Sequence, residues 1–119
     1  MAIDKQLLKG TIPLLVLHLI SQGEMYGYQL IRSLNDASAG EFKFSEGTLY
    51  PVLHALERDG QLRAYWRVAD TGRKRKYYAI TAAGVRSLSR RTAEWRTFAG
   101  AIEAVLSEEI PHDATNRRN

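Results

Sequence analysis

Residues 45–60, SEGTLYPVLHALERDG, run without a break into residues 61–80, QLRAYWRVADTGRKRKYYAI, and the junction of these two stretches decides how the chain is read. In the first, Leu49, Val52, Leu53 and Leu56 fall on one face at about 100° per residue, Ser45 stands at the cap position and Gly60 closes the helix. Gly47, Tyr50, Pro51, His54 and Arg58 occupy the opposite face. In the second, Leu62, Trp66 and Val68 alternate with Arg63, Tyr65 and Arg67. Asp70, Thr71 and Gly72 then supply a turn, and residues 74–80 return as a second strand. The tip of that hairpin carries Arg73, Lys74, Arg75 and Lys76, opposed only by Asp70.

Upstream, residues 7–22 are apolar almost all round, with Thr11 as N-cap, Pro13 in the first turn and Gly23 as the stop. A helix of that kind must be covered on every side. Residues 26–37 repeat apolar side chains at Leu30, Ile31 and Leu34, and Phe42-Lys43-Phe44 reads as a short edge strand. Three helices followed by a hairpin predict a mainly α fold with a small β-hairpin, a winged helix-turn-helix over residues 1–80. Its third helix would enter a DNA groove while its wing reaches phosphates.

Downstream, Thr81 caps a last helix over residues 81–109, in which Val85, Leu88, Thr92, Trp95, Ala99, Ile102 and Leu106 recur at heptad a and d spacing. At about 1.5 Å per residue that helix is roughly 40 Å long, more than the small domain can cover. Its seam is therefore expected to meet a second copy, making a homodimer. Residues 110–119 are polar and aperiodic and are expected to be disordered.

At 119 residues the chain fits one small core with an appended helix. A net charge of +4 and a pI near 9.6 decide little without the distribution just described. The absence of cysteine excludes disulfides, thiolate metal sites and thiol nucleophiles. The longest apolar run, residues 12–20, is too short to cross a bilayer and no leader-like segment precedes it, so a cytoplasmic location is expected. His18, His54 and His112 lie on unrelated segments, and no metal-binding spacing, GxSxG, P-loop or GxGxxG occurs. No enzyme, metal or cofactor is expected.

The candidate DNA contacts follow from the third helix. Gly47 lacks a side chain and would let a phosphate approach the helix start, where free N–H groups favour an anion. Thr48 and Tyr50 offer hydroxyls to phosphates, while His54 and Arg58 lie further along with reach to base edges. The bland alternative is an amphipathic helix with a solvated polar face, and an isolated basic tetrad is usually just a solvated patch. Placing the tetrad at a hairpin tip directly after such a helix favours the DNA reading. Alternation sends Lys74 and Lys76 to one face and Arg75 with Tyr77 to the other. Trp95, between Thr92 and Ala99, either packs an interface or, with Leu14 and Leu17, lines a slot for a planar aromatic ligand.

SEGTLYPVLHALERDG, a hairpin ending RKYYAIT, a helix opening TAAG and the segment MYGYQLIRSL together resemble the PadR family of transcriptional regulators, over about residues 7–106. The single C-terminal helix with Trp95 is similar to the short subgroup, including multidrug-sensing members of the LmrR type. The resemblance implies a homodimeric repressor that binds a pseudo-palindromic operator in double-stranded DNA and is released by a planar aromatic or phenolic effector. It implies DNA contacts at Tyr26, Ser45, Thr48, Tyr50 and the wing residues Arg73, Lys74, Arg75 and Lys76. Gln61 departs from the aliphatic residue usual after the glycine, and Ala99 offers no carboxylate to a cationic drug. Two other readings stay open: a winged-helix module that recognises a protein, and a small-molecule sensor without sequence-specific DNA binding.

Overall fold

The computed structural model describes residues 5–108. Helices α1 (Lys5–Leu8) and α2 (Ile12–Gln22) precede a two-residue strand β1 (Met25–Tyr26), and α3 (Gly27–Ala37) and α4 (Glu46–Arg58) follow. Strands β2 (Leu62–Val68) and β3 (Lys74–Ile80) form the hairpin, and α5 (Ala82–Ser107) is the last element. The three strands make one antiparallel sheet in the order β1-β3-β2. The fold is thus mainly helical with a small sheet, as the sequence led one to expect, but the third strand is not where it was sought.

Phe42-Lys43-Phe44 forms no strand. The amide of Phe42 donates to Ser38 Oγ and that of Phe44 to Asn35 Oδ1, both at 3.0 Å, so side chains at the end of α3 take the groups a ladder would need. Phe44 is buried in the core and stacks edge-on with Phe42. Met25 and Tyr26 pair instead with Tyr78 and Tyr77.

The core is built by Val16, Leu17 and Ile20 of α2, Leu30, Ile31 and Leu34 of α3, Leu49, Leu53 and Leu56 of α4, and Leu62 and Tyr78 of the sheet. Covering α2 on every side was an overestimate: Leu14, Leu15 and Leu19 are only half-buried and His18 is exposed. Thr11 occupies the cap position but its hydroxyl donates back to the Leu8 carbonyl at 2.8 Å, closing the turn between α1 and α2.

α4 ends in a Schellman motif: Gly60, at φ 78°, donates to the Glu57 carbonyl, and Gln61 donates to that of Leu56. The chain therefore reverses into β2 within three residues. Gly72, at φ 84°, serves the hairpin turn, whose ends are tied by the Ala69 amide on the Arg73 carbonyl at 2.8 Å. Thr81 caps α5 by accepting from the Gly84 amide at 3.0 Å, and its hydroxyl donates to the Gly60 carbonyl. A methyl group at Gly84 would collide with the Gln61 carbonyl, so the start of α5 lies directly on the base of the wing.

The beginning of α5 packs against α2, with Gly84 and Ser87 buried and Leu88 against the core. From Trp95 onward it leaves the domain. Trp95, Phe98, Ile102, Val105 and Leu106 are all exposed, Leu106 to 71%. The apolar stripe is broader than the heptad reading, which omitted Phe98 and Val105; of the residues assigned to the seam, Leu88 packs on its own core and Thr92 is half-buried, its hydroxyl donating to the Leu88 carbonyl. Residues 109–119, with the expected tail and His112, lie outside the described residues.

Candidate nucleic-acid interface

The face of the sheet that covers the core continues past it toward the wing tip. Leu62 and Tyr78 are buried, but Trp66 is 61% exposed and its neighbour Val68 equally so, because the hairpin outruns the helices beneath it. Alternation puts both on the same face as Leu62, but they are inward in direction only. Between this overhang and the flank of α4 lies an open groove of about 630 Å³, lined by Tyr26, Tyr28, Tyr50, His54, Trp66 and the basic run of residues 73–76.

The groove gathers Tyr26, Tyr50, His54, Arg73, Lys74, Arg75 and Lys76 of the expected DNA contacts. Ser45, Gly47 and Thr48 stand apart at the exposed start of α4. Ser45 has the extended backbone of a cap, yet its hydroxyl lies 3.3 Å from that of Thr48 and caps no backbone amide. A methyl group on Gly47 would meet nothing nearer than Ser45 Oγ at 3.9 Å, so no internal packing demands glycine there. Gly27 differs: a methyl group there would lie 2.5 Å from the Tyr50 ring.

Tyr50 is accordingly a half-buried wedge between α4 and the start of α3, and not the free outward donor that helix geometry suggested. Burial, and then the nearby Glu46 charge, raise its pKa above the usual 10.0, keeping the hydroxyl protonated and able to donate. Its ring stacks on His54 at 6.4 Å between centroids.

The four cations of the wing are not equivalent. Lys76 Nζ lies 3.2 Å from Glu57 Oε1 of α4 and 5.4 Å from the Tyr78 ring. Burial pulls its pKa down, but bonds and charge from Glu57 and Tyr78 outweigh that and the net shift is upward. Arg75 lies over the Tyr26 ring at 4.4 Å. Arg73 and Lys74, exposed at the tip, have no ion-pair partner among the described residues. Trp66 and Glu46, both lining the groove, were missed from sequence; for Trp66 alternation gives the face of the sheet but not what lies against it.

A second cleft, of about 440 Å³, opens between α1, α2 and α5, lined by Leu7, Thr11, Leu14, Arg91, Glu94, Trp95 and Phe98. It brings Trp95 and Leu14 together as expected. Leu17 does not reach it, being fully buried in the core, and Ala99 is not part of its lining. A carboxylate is present after all, from Glu94, which also bonds Arg90 at 3.4 Å. Among the described residues no cluster could hold a metal, and no helix is long and apolar enough to cross a membrane.

The core helices α2, α3 and α4, a three-stranded sheet with a protruding cationic hairpin, and a long final helix define a winged-helix protein. The pattern of the PadR-like transcriptional regulator family matches residues 16–90, and the chain belongs to that family. It is a transcriptional regulator and not an enzyme. The chain is 40% identical over 81 residues to the transcriptional regulator Rv3488 of Mycobacterium tuberculosis, covering 68% of this chain and 72% of that one. A PadR-like transcriptional regulator from Bacillus cereus superimposes with a TM-score of 0.77 at 33% identity, over 87% of this chain and 99% of its own. A transcriptional regulator from Clostridium thermocellum gives 0.79 at 25% identity, over 87% and 97%.

Proposed function

We propose that this regulator binds double-stranded DNA as a homodimer, laying α4 of each subunit in a major groove and its wing against the adjoining backbone. The observation that carries the reading is the groove itself, where a helix flank, the aromatic rings of Tyr26, Tyr28, Tyr50, His54, Trp66 and Tyr78, and the basic run of the wing converge around one open channel. Paired α4 helices set in successive major grooves, about 34 Å apart, would read a pseudo-palindromic operator. Repression, and a cytoplasmic setting, go with that role.

Dimerisation through α5 is supported by the exposed stripe of Trp95, Phe98, Ile102, Val105 and Leu106, a large apolar surface for a chain this size to leave in water. The cleft beside Trp95 favours an effector site for a planar aromatic or phenolic compound, as in the LmrR-type subgroup, with Glu94 able to meet a cation at its rim. The test is duplex binding against salt, using DNA upstream of the protein's own operon and random duplex. Preference for the upstream DNA and a steep slope of log affinity on log salt are expected. Equal binding of both, or no change when residues 73–76 become alanine, would count against the proposal and favour a protein-interaction module. Quenching of Trp95 fluorescence by aromatic compounds, lost in Trp95→Ala, tests the effector site.

A further inference from the structure

The outer face of the sheet, turned away from the core, carries an arrangement that the groove does not use up. Tyr26, Tyr77 and Tyr65 stand side by side across β1, β3 and β2, with ring centroids 5.4 Å and 5.8 Å apart. Each ring carries a guanidinium: Arg75 over Tyr26 at 4.4 Å, Arg67 over Tyr77 at 5.1 Å and Arg63 over Tyr65 at 5.6 Å. Glu24 answers the charge of Arg63 at 3.7 Å and accepts a hydrogen bond from the Tyr65 hydroxyl. Among the described residues Arg67 and Arg75 have no ion-pair partner.

Arg67 and Arg75 are also register partners, directly opposite each other on β2 and β3. Like charges in that relation destabilise a sheet. Stacking on tyrosine eases the cost and holds each planar fork in place, so little side-chain freedom remains to be lost when the free N–H edges meet an anion. Two fixed, unneutralised guanidiniums on one face match a phosphate in charge and geometry. The row is continuous with the groove, since Tyr26 and Arg75 belong to both.

We propose that Arg67 and Arg75 form a second phosphate-binding site, on the outer face of the wing, which takes a backbone phosphodiester of the duplex held by the groove. This rests on the DNA-binding reading above. The wing then holds DNA from both faces, Lys74 on the inner side and the arginine pair on the outer. Arg67, outside the basic run, becomes a DNA contact.

The experiment compares R67Q/R75Q with R73Q/K74Q and the unaltered protein by fluorescence anisotropy on operator and random duplex across salt. Loss of that one phosphate contact should reduce the log–log slope by about 0.9, so that the affinity deficit is roughly 3.5-fold larger at about 50 mM than at about 200 mM salt. The preference for operator over random duplex should not change, because phosphates carry no sequence. R67K/R75K, which keeps the charge, should retain most of the slope. Should the double variant fail to fold, R67Q alone is read the same way, with a slope change of up to about 0.9. An unaltered slope in R67Q/R75Q alongside a reduced one in R73Q/K74Q would overturn the site and leave DNA binding standing, the row being then only a stiffener of the wing. Absence of salt-dependent duplex binding in the unaltered protein would remove both.

Discussion

Glu57→Gln is expected to strengthen binding to duplex DNA, although it breaks an ion pair. Glu57 holds Lys76 Nζ at 3.2 Å, and the side chains of Lys76 and Glu57 are 31% and 36% exposed. At that exposure water screens the pair, which contributes about 0.2–1 kcal/mol to stability, so the variant should melt only slightly lower. Its effect on DNA is larger. A phosphate approaching Lys76 meets the Glu57 carboxylate beside it, so the lysine is of little use as a counter-charge while Glu57 is ionised. Releasing it adds one phosphate contact, worth about 0.9 in the log–log slope, or an extra gain of roughly 3.5-fold in affinity on going from about 200 mM to about 50 mM salt.

The assay is a double-mutant cycle of Glu57→Gln and Lys76→Gln, read by anisotropy titration across that salt range. Lys76→Gln should change the slope little when Glu57 is present and lower it by about 0.9 when Glu57 is already glutamine. If Lys76→Gln alone removes the full increment with Glu57 in place, Lys76 contacts phosphate freely and the reasoning fails. Because the released contact is to phosphate, Glu57→Gln should strengthen binding to operator and random duplex alike and leave the ratio between them unchanged.

Gln61→Leu should raise stability by about 1–2 kcal/mol in denaturant unfolding, because Gln61 Oε1 is buried with no hydrogen-bond partner among the described residues; a lower midpoint refutes that cause. Gly27→Ala should cost about 1–3 kcal/mol by driving the Tyr50 ring off α3, and should weaken DNA binding with it; wild-type stability would mean the ring yields freely. Ile102→Lys should shift sedimentation from dimer to monomer while the winged domain keeps its far-ultraviolet signature; an unchanged dimer would place the interface elsewhere. The pKa values of Tyr50, Tyr65, Lys76 and Tyr78 are all raised, from ordinary values of 10.0 for tyrosine and 10.5 for lysine. The folded state then keeps protons the unfolded chain has lost, so stability should be full below about pH 10 and fall as pH rises beyond it. Tyr78→Phe, which removes the most buried of these groups, should flatten that decline.

Wherever a local signal had one meaning, it was readable from the residues alone. Gly60 and Gly72 sit at positive φ where the chain reverses, and the bounds of α4, β2 and β3 follow from them almost to the residue. What escaped reading depended on neighbours distant in sequence. β1 is two residues long and exists because Tyr77 and Tyr78 lie beside it; nothing in Met25-Tyr26 alternates. Phe42-Lys43-Phe44 alternates and is no strand, because Asn35 and Ser38 claim its amides first. Trp66 and Val68 have the pattern of core residues, but a pattern gives the direction of a side chain and not whether anything lies in that direction. The site was legible in its parts, Tyr50, His54 and the basic run, while the inequality of the four cations required Glu57 and Tyr26 to be seen next to them.

The joint at the base of the wing bears on how a signal from the Trp95 cleft could reach DNA. Gly84 of α5 rests on the Gln61 carbonyl, the Thr81 hydroxyl bonds the Gly60 carbonyl at 2.6 Å, and the Thr81 amide bonds the Gln61 carbonyl at 3.1 Å. The end of α4, the root of β2 and the start of α5 therefore meet within one cluster of backbone contacts, with no side-chain layer between them to absorb a displacement. Glu57 and Lys76 fasten the other end of the wing to α4. A ligand changes affinity only by binding two states unequally, and inside one subunit these elements offer no second arrangement at low cost. The freedom lies where α5 leaves the domain beyond Trp95. An effector in the cleft should act by altering the angle between the two final helices, and so the spacing of the two wings, while each subunit's helix and wing move as one body. Cross-linking the distal α5 helices of the dimer should abolish effector release; release that persists in the cross-linked dimer would place the hinge at the wing.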